Sequence, residues 1–195
     1  GQIYLDFNSC SPGKKVKAAV AVENRSAARY VDVAVMDTVP GRGHLVPMLL
    51  AGEAAEAAVA ALAPFGMNLE VVGTSIGQAS TIKMARSVFM KGIEAILCES
   101  LVAAHRAGVH ERVLSSIQGT FPDLDWRALA TYHMGRMALH GRRRAIEMDS
   151  VADTLLDLDL QPFTAKGTGD RQMWVADLGL RDVFGTEGPE TLEDF

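Results

Sequence analysis

Cysteine is scarce, basic charge is in deficit and no long apolar run occurs. Each shortage closes off a class of protein. Two cysteines, Cys10 and Cys98, stand in 195 residues. They make no C-x-x-C pair and no disulfide framework, so both read as reduced thiols of a cytoplasmic protein. The net charge of −5 argues against a nucleic-acid partner, because a phosphate-binding surface needs a basic excess. No uncharged apolar stretch approaches the roughly 20 residues that span a bilayer. Asp6 interrupts the first apolar run, so that run is not read as a signal peptide and no membrane association is expected. The five histidines are scattered without metal-ligand spacing, and no metal is expected. There is no internal repeat, no low-complexity tract and no Gly/Ser linker.

What is present is a globular composition, 48% hydrophobic with 22% charged residues. The first 75 residues alternate between strand and helix signals. "IYLDFN" (3–8) is a strand candidate. Ser11 is a plausible N-cap with Pro12 at the first helical position, and "KKVKAAVAVENRSAA" reads as the helix. "YVDVAVM" (30–36) alternates as a strand does. "DTVPGRGH" is a loop and "LVPMLLAG" a further strand. "EAAEAAVAALAPFG" is a helix stopped by Pro64 and Gly66, and "LEVV" (69–72) is the last strand. Everything after residue 76 reads as helical, with breaks expected near Gly108, "GTFPDLD", Gly141, Pro162 and "KGTGD" and a frayed acidic tail. The expected division is α/β over 1–75 and all-α over 76–195, joined by a long helix. Three or four strands are few for an open sheet covered on both faces. The β/α part is therefore expected to be the second half of a larger domain.

The long helix opens with "GQASTIKMARS" (77–87). At about 100° per residue, Ile82, Phe89, Ile93 and Ile96 share a stripe, with Met84, Ala95 and Val102 on the far side. That pattern predicts burial on several sides. Lys83 lies beside the stripe, with Ser87 and Glu94 along the same edge. A lone lysine so placed either snorkels to solvent or is held in a cleft, where it can trade a proton with a substrate oxygen. Arg86 falls inside the stripe and is expected to be buried against an anion.

These residues resemble the β-hydroxyacid dehydrogenase and 6-phosphogluconate dehydrogenase superfamily, and more narrowly the branch with a phosphogluconate dehydrogenase-like C-terminal domain. The glycine turn and lysine helix appear as "GTSIGQASTIKMARS", with Ser87 where the family carries asparagine. The resemblance implies that Lys83 is the general acid/base. The strand-end motif appears as "DFNSCSP", which implies that Asn8 and Ser9 meet substrate and nicotinamide. Ligands of open α/β sheets do bind beyond strand carboxyl ends. The substrate-carboxylate loop corresponds to "DTVPGRG", where Gly41 and Gly43 are expected to present N–H groups with Arg42 supplying charge; an ordinary Pro-Gly turn is the other reading. "HGRRRAIEM" (140–148) matches the branch's own signature. His140 with Arg144, and Arg143 with Glu147, are spaced to meet on a helix face. They form either a surface ion-pair cluster or an anion pocket for substrate.

The resemblance implies the C-terminal half of a Rossmann-type domain followed by a 6-phosphogluconate dehydrogenase C-terminal-like helical domain. It also implies NAD or NADP as cofactor, a small anionic substrate, and a homodimer through the helical part. The dinucleotide fingerprint G-x-G-x-x-G does not occur in these residues and is expected upstream of residue 1. The function this implies is an NAD(P)-dependent oxidoreductase of the 3-hydroxyacid type. An imine reductase-like enzyme and a non-catalytic helical dimerisation or binding module are the alternatives.

Overall fold

Side-chain alternation in one strand organises the sheet. β2 (Arg29–Val35) points Val31 and Val33 to one face and Asp32 and Ala34 to the other. β1 (Ile3–Asp6) pairs with it in parallel, matching Asp6 to Asp32. β3 (Met48–Ala51) runs antiparallel to β2 and sets Ala51 opposite Asp32. β4 (Leu69–Gly73) runs parallel to β3, which completes a mixed sheet of order β1-β2-β3-β4. Val31, Val33, Met48 and Leu50 pack on Ala54, Ala55 and Ala58 at the start of α2 (Ala55–Leu62). On the other face, Ala34 and Ala51 meet Ala79, the second residue of α3 (Gln78–Arg106). Three alanines in contact let the helix backbone come close to the strands.

The computed structural model describes residues 1–195 and divides into two compact units. A sheet unit comprises Gly1–Arg86 with Ser150–Gln161, and a helical unit comprises Ser87–Asp149 with Pro162–Phe195. The units divide within α3, eleven residues beyond the joint expected from sequence, and α5 (Trp126–Asp157) also contributes to both. The other helices are α1 (Pro12–Glu23), α4 (His110–Thr120), α6 (Phe163–Asp177) and α7 (Leu180–Phe184). Ser11 is the N-cap of α1 and Pro12 opens it, as the sequence predicts, although the serine side chain makes no capping bond. α1 ends at Glu23, short of the expected run through Ala28.

Several sequence expectations are corrected. Gly141 does not break α5. A Cβ there would stand 2.6 Å from the main-chain oxygen of Gln172, so glycine lets α6 lie against α5. "KGTGD" likewise continues α6, with Thr168 buried. The acidic tail is not frayed: Leu192 and Phe195 pack on the helical core of Cys98, Leu101, Leu114, Met134 and Met137. The α3 stripe is not buried either. Ile82, Phe89 and Ile96 are 39%, 66% and 65% exposed, while the far side, with Met84 and Ala95, is buried as expected. Arg86 is exposed rather than held against a buried anion.

Candidate active site

A carboxylate inside a sheet is costly unless it is paired. Asp32 has no exposed surface. Its charge is met by Lys15, also fully buried, whose Nζ lies 3.4 Å from Asp32 Oδ1 and 3.3 Å from Asp6 Oδ2. The same Nζ donates to the main-chain oxygen of Asp6 at 2.7 Å. Ser80 donates twice to Asp32, from its N–H at 2.9 Å and from Oγ at 2.7 Å. Tyr30 donates its hydroxyl to Asp6 Oδ2. Burial alone would raise the Asp6 pKa, but the Tyr30 hydroxyl, the Asn8 N–H and the Lys15 charge outweigh it and hold the carboxyl below its usual value. Burial, and then the hydrogen bond to Asp6, push the Tyr30 phenol well above its ordinary range. Burial also raises the thiol of Cys10.

This hub holds the residues that the sequence singles out on either side of it. Asn8 donates to Asp6 Oδ1 from its N–H at 2.9 Å and from Nδ2 at 2.6 Å, so the turn after β1 is fixed with Asn8 and Ser9 exposed. Ser80 lies in the first turn of α3, and Lys83, half-buried, follows three residues on. The turn into α3 depends on Gly77, at φ +94°, where a Cβ would stand 3.0 Å from Pro12 Cβ. The glycine of the motif is thus required by the packing of α3's start on the start of α1.

The loop "DTVPGRG" follows β2 but is not built as an open carboxylate cradle. The N–H of Gly43 is used internally, donating to Val39 O at 2.8 Å. Arg42 is paired with Asp37 at 3.1 Å. Gly41 and Gly43 both sit at positive φ in an exposed turn. That geometry is the Pro-Gly turn rather than the substrate loop.

The remaining sequence candidates fall in the helical unit. Ser87 is half-buried, one turn beyond Lys83 on α3. Glu94 does not extend a polar strip with them; it is 1% exposed and is the centre of a second hub. Arg144 grips it through two hydrogen bonds, Nε to Oε2 at 2.9 Å and Nη2 to Oε1. Gln172 Nε2 donates to Oε2 at 2.7 Å, and His133 Nδ1 and Arg136 Nε each stand 3.7 Å from Oε1. Burial pushes the Glu94 pKa up, but the groups turned toward it, His133, Arg144 and Gln172, leave it below its usual value. Arg144 is therefore a structural partner rather than part of an anion pocket with His140. His140 is exposed, and partial burial followed by the charge of Arg143 lowers its pKa. Arg143 meets Glu147 at 2.6 Å, as its spacing predicts, and the buried Lys91 takes the other oxygen at 3.1 Å. Burial lowers the Lys91 pKa despite that pairing.

Lys15, Asp6, Asp32, Tyr30 and Ser80 are not among the sequence candidates. A signal was present: an aspartate at the centre of "YVDVAV", where every neighbour is apolar or aromatic, requires a buried cation.

Comparison with known proteins places this arrangement. Residues 104–175 match a family described as a domain of unknown function, DUF1932. A conserved hypothetical protein from Sinorhizobium meliloti is 40% identical, with a TM-score of 0.82 over 95% of this chain and 62% of its own. The conserved protein MTH1747, described as structurally similar to 3-hydroxyacid dehydrogenases, is 34% identical, with a TM-score of 0.74 over 91% of this chain and 67% of its own. The chain belongs to the β-hydroxyacid dehydrogenase and 6-phosphogluconate dehydrogenase superfamily. A 3-hydroxyisobutyrate dehydrogenase from Salmonella typhimurium has the same fold at 16% identity, with a TM-score of 0.65 over 91% of this chain and 65% of its own. This superfamily member thus spans about three fifths of the length of the Sinorhizobium relative. Its small four-stranded sheet and its helices are of the class expected, a Rossmann-type half with a helical domain.

Proposed function

We propose that this chain acts in an NAD(P)-dependent oxidoreductase of the 3-hydroxyacid dehydrogenase type, on a small hydroxy-carboxylate or its keto form, with Lys83 as general acid/base. One observation carries the reading. Asn8, Asp6, Lys15, Asp32 and Ser80 form a continuous chain of hydrogen bonds and ion pairs. The strand-end residue and the helix turn that leads to Lys83 are therefore held by one buried device. Such a device fixes catalytic geometry by locking the groups behind it.

In this reading Lys83 takes the hydroxyl proton when the carbinol is oxidised and returns one when the ketone is reduced. The exposed Ser9 and the side-chain oxygen of Asn8, whose amide nitrogen is tied to Asp6, are the substrate contacts, with Ser87 beside the lysine. Of the expected substrate groups, Gly43 and Arg144 leave the assignment, because the Gly43 N–H is given to Val39 and Arg144 is buried in a two-bond pair with Glu94. The pyrophosphate of a dinucleotide does not fit these residues. The turn from β1 into α1 runs through a buried Ser11 and Pro12, and the turn into α3 is packed on Pro12, leaving no glycine cradle. The role proposed for this chain is therefore the proton and substrate side of the reaction.

A homodimer through the helical part would cover the exposed Phe89 and Ile96 of α3. No helix is long and apolar enough to cross a membrane, and we place the enzyme in the cytoplasm. The test is Lys83→Ala in the protein as its gene encodes it, assayed on three- to six-carbon hydroxy acids with NAD+ and NADP+. The expected loss of turnover is about 10²- to 10⁴-fold with an unchanged melting curve. Turnover within threefold of the parent would remove Lys83 from the mechanism.

A further inference from the structure

The helical unit contains a cavity of about 420 Å³ whose lining begins at Cys98, four turns beyond Lys83 along α3. Its walls are apolar, formed chiefly by Leu101, Val102, Met134, Met137 and Val175, with Leu192 and Phe195 of the tail closing one side. Burial pushes the Cys98 thiol up to about 11, which makes that end of the cavity a neutral, apolar surface. The volume falls within the range of small-molecule sites, about 300–1,000 Å³.

The polar groups of the lining converge on one side. His105 and Arg106 end α3, and His110 opens α4, with the two imidazole rings 5.2 Å apart. Arg106 is exposed and makes no ion pair. His110 Nδ1 is buried without a hydrogen-bond partner, although Nε2 lies 3.4 Å from Glu111. A buried orphan nitrogen is uncommon and costs free energy unless something pairs with it. The one carboxylate side chain in the lining, Glu193, is already taken by Arg127. The cavity thus offers an apolar body and a cationic, donor-rich rim.

We propose that this cavity is a binding site for a small amphipathic anion: a ring-sized apolar body seated among Leu101, Val102 and Met134, with a carboxylate or sulfonate head at Arg106 and His110. Lys83 does not line this cavity, and the proposal stands whether or not the dehydrogenase reading does. The probe is 1-anilinonaphthalene-8-sulfonate, an aromatic body with one anionic head, followed by its emission and by calorimetry. Saturable binding is expected, displaced by 4-phenylbutyrate at a concentration at least tenfold lower than by the uncharged 4-phenylbutanol. Arg106→Ala should weaken both anions at least tenfold without changing the melting curve. Leu178→Trp, at a half-exposed wall position, should fill the space and abolish binding; Val102→Phe is the second filling variant if the first does not fold. Absence of dye binding overturns the proposal. So does dye binding that survives both Arg106→Ala and the filling variant, which would place the dye on the exposed α3 face. Equal displacement by the alcohol and the acid removes the anionic head from the assignment.

Discussion

The sheet unit buries a cation between two carboxylates, and the helical unit buries a carboxylate among cations. Lys15 and Glu94 are 0% and 1% exposed, so neither charge can be left to water. The first hub gathers residues from β1, β2, α1 and the start of α3; the second gathers α3, α5 and α6. In the sheet unit, pleating places Asp6 and Asp32 side by side, and one lysine reaching down from α1 bridges both. In the helical unit, Arg144 presents a planar fork that one carboxylate matches with two bonds. The difference in sign teaches where function can sit. The sheet hub ties down the first turn of α3 through Ser80, whose N–H and hydroxyl both donate to Asp32, three residues before Lys83. The helical hub consumes a residue of α3 itself, so Glu94 is excluded from chemistry.

The largest expected effects come from breaking each hub singly. Lys15→Met strands two carboxylates, and Glu94→Gln strands Arg144, at a cost of about 3–5 kcal/mol each in denaturant unfolding. Hydrogen exchange should divide them: Lys15→Met lowers protection chiefly in β1–β4, Glu94→Gln chiefly in α5 and α6. Equal loss throughout would mean that the two hubs report one cooperative body.

Acid gives a second comparison. Asp6 and Glu94 both titrate below their ordinary values of 3.8 and 4.5. A carboxyl lowered in the folded state stabilises the fold above its unfolded value and loses that contribution as pH falls through its folded one. Stability should therefore begin to fall below about pH 4.5 in the helical unit and below about 3.8 in the sheet unit. Glu94→Gln should flatten the first decline when unfolding is followed by α-helix exchange against pH.

Smaller effects sharpen the sheet side. Gly77→Ala should cost about 1–2 kcal/mol, because a left-handed backbone is imposed on a residue with Cβ. It should also lower turnover, because the α3 start shifts from Pro12. Least of all, Lys14→Met should cost no more than about 1 kcal/mol. Its partner Asp153 is 2.9 Å away, but the two side chains are 56% and 47% exposed. A Lys14 effect equal to that of Lys15 would break the argument from burial.

Local chemistry made much of this protein legible without coordinates. The Ser11-Pro12 start of α1, the Pro64-Gly66 stop and the four strand patterns depend on a few adjacent residues, and each holds. The Arg143–Glu147 pair follows from helical spacing alone. Gly141 reads as a break because a glycine that permits helix contact looks, in one dimension, like a glycine that gives the chain freedom. The α3 stripe misled for a related reason: hydrophobic periodicity marks a face to be covered but does not say that this chain covers it. Nothing local separates Lys15 from Lys14. They are adjacent in sequence, and only the docking of α1 on the sheet buries one between Asp6 and Asp32 and leaves the other in water. Backbone propensity and spacing are properties of neighbours along the chain and can be read from it. Which charge is desolvated, and which therefore must be paired, depends on distances between segments far apart in sequence, and the tertiary structure alone sets those.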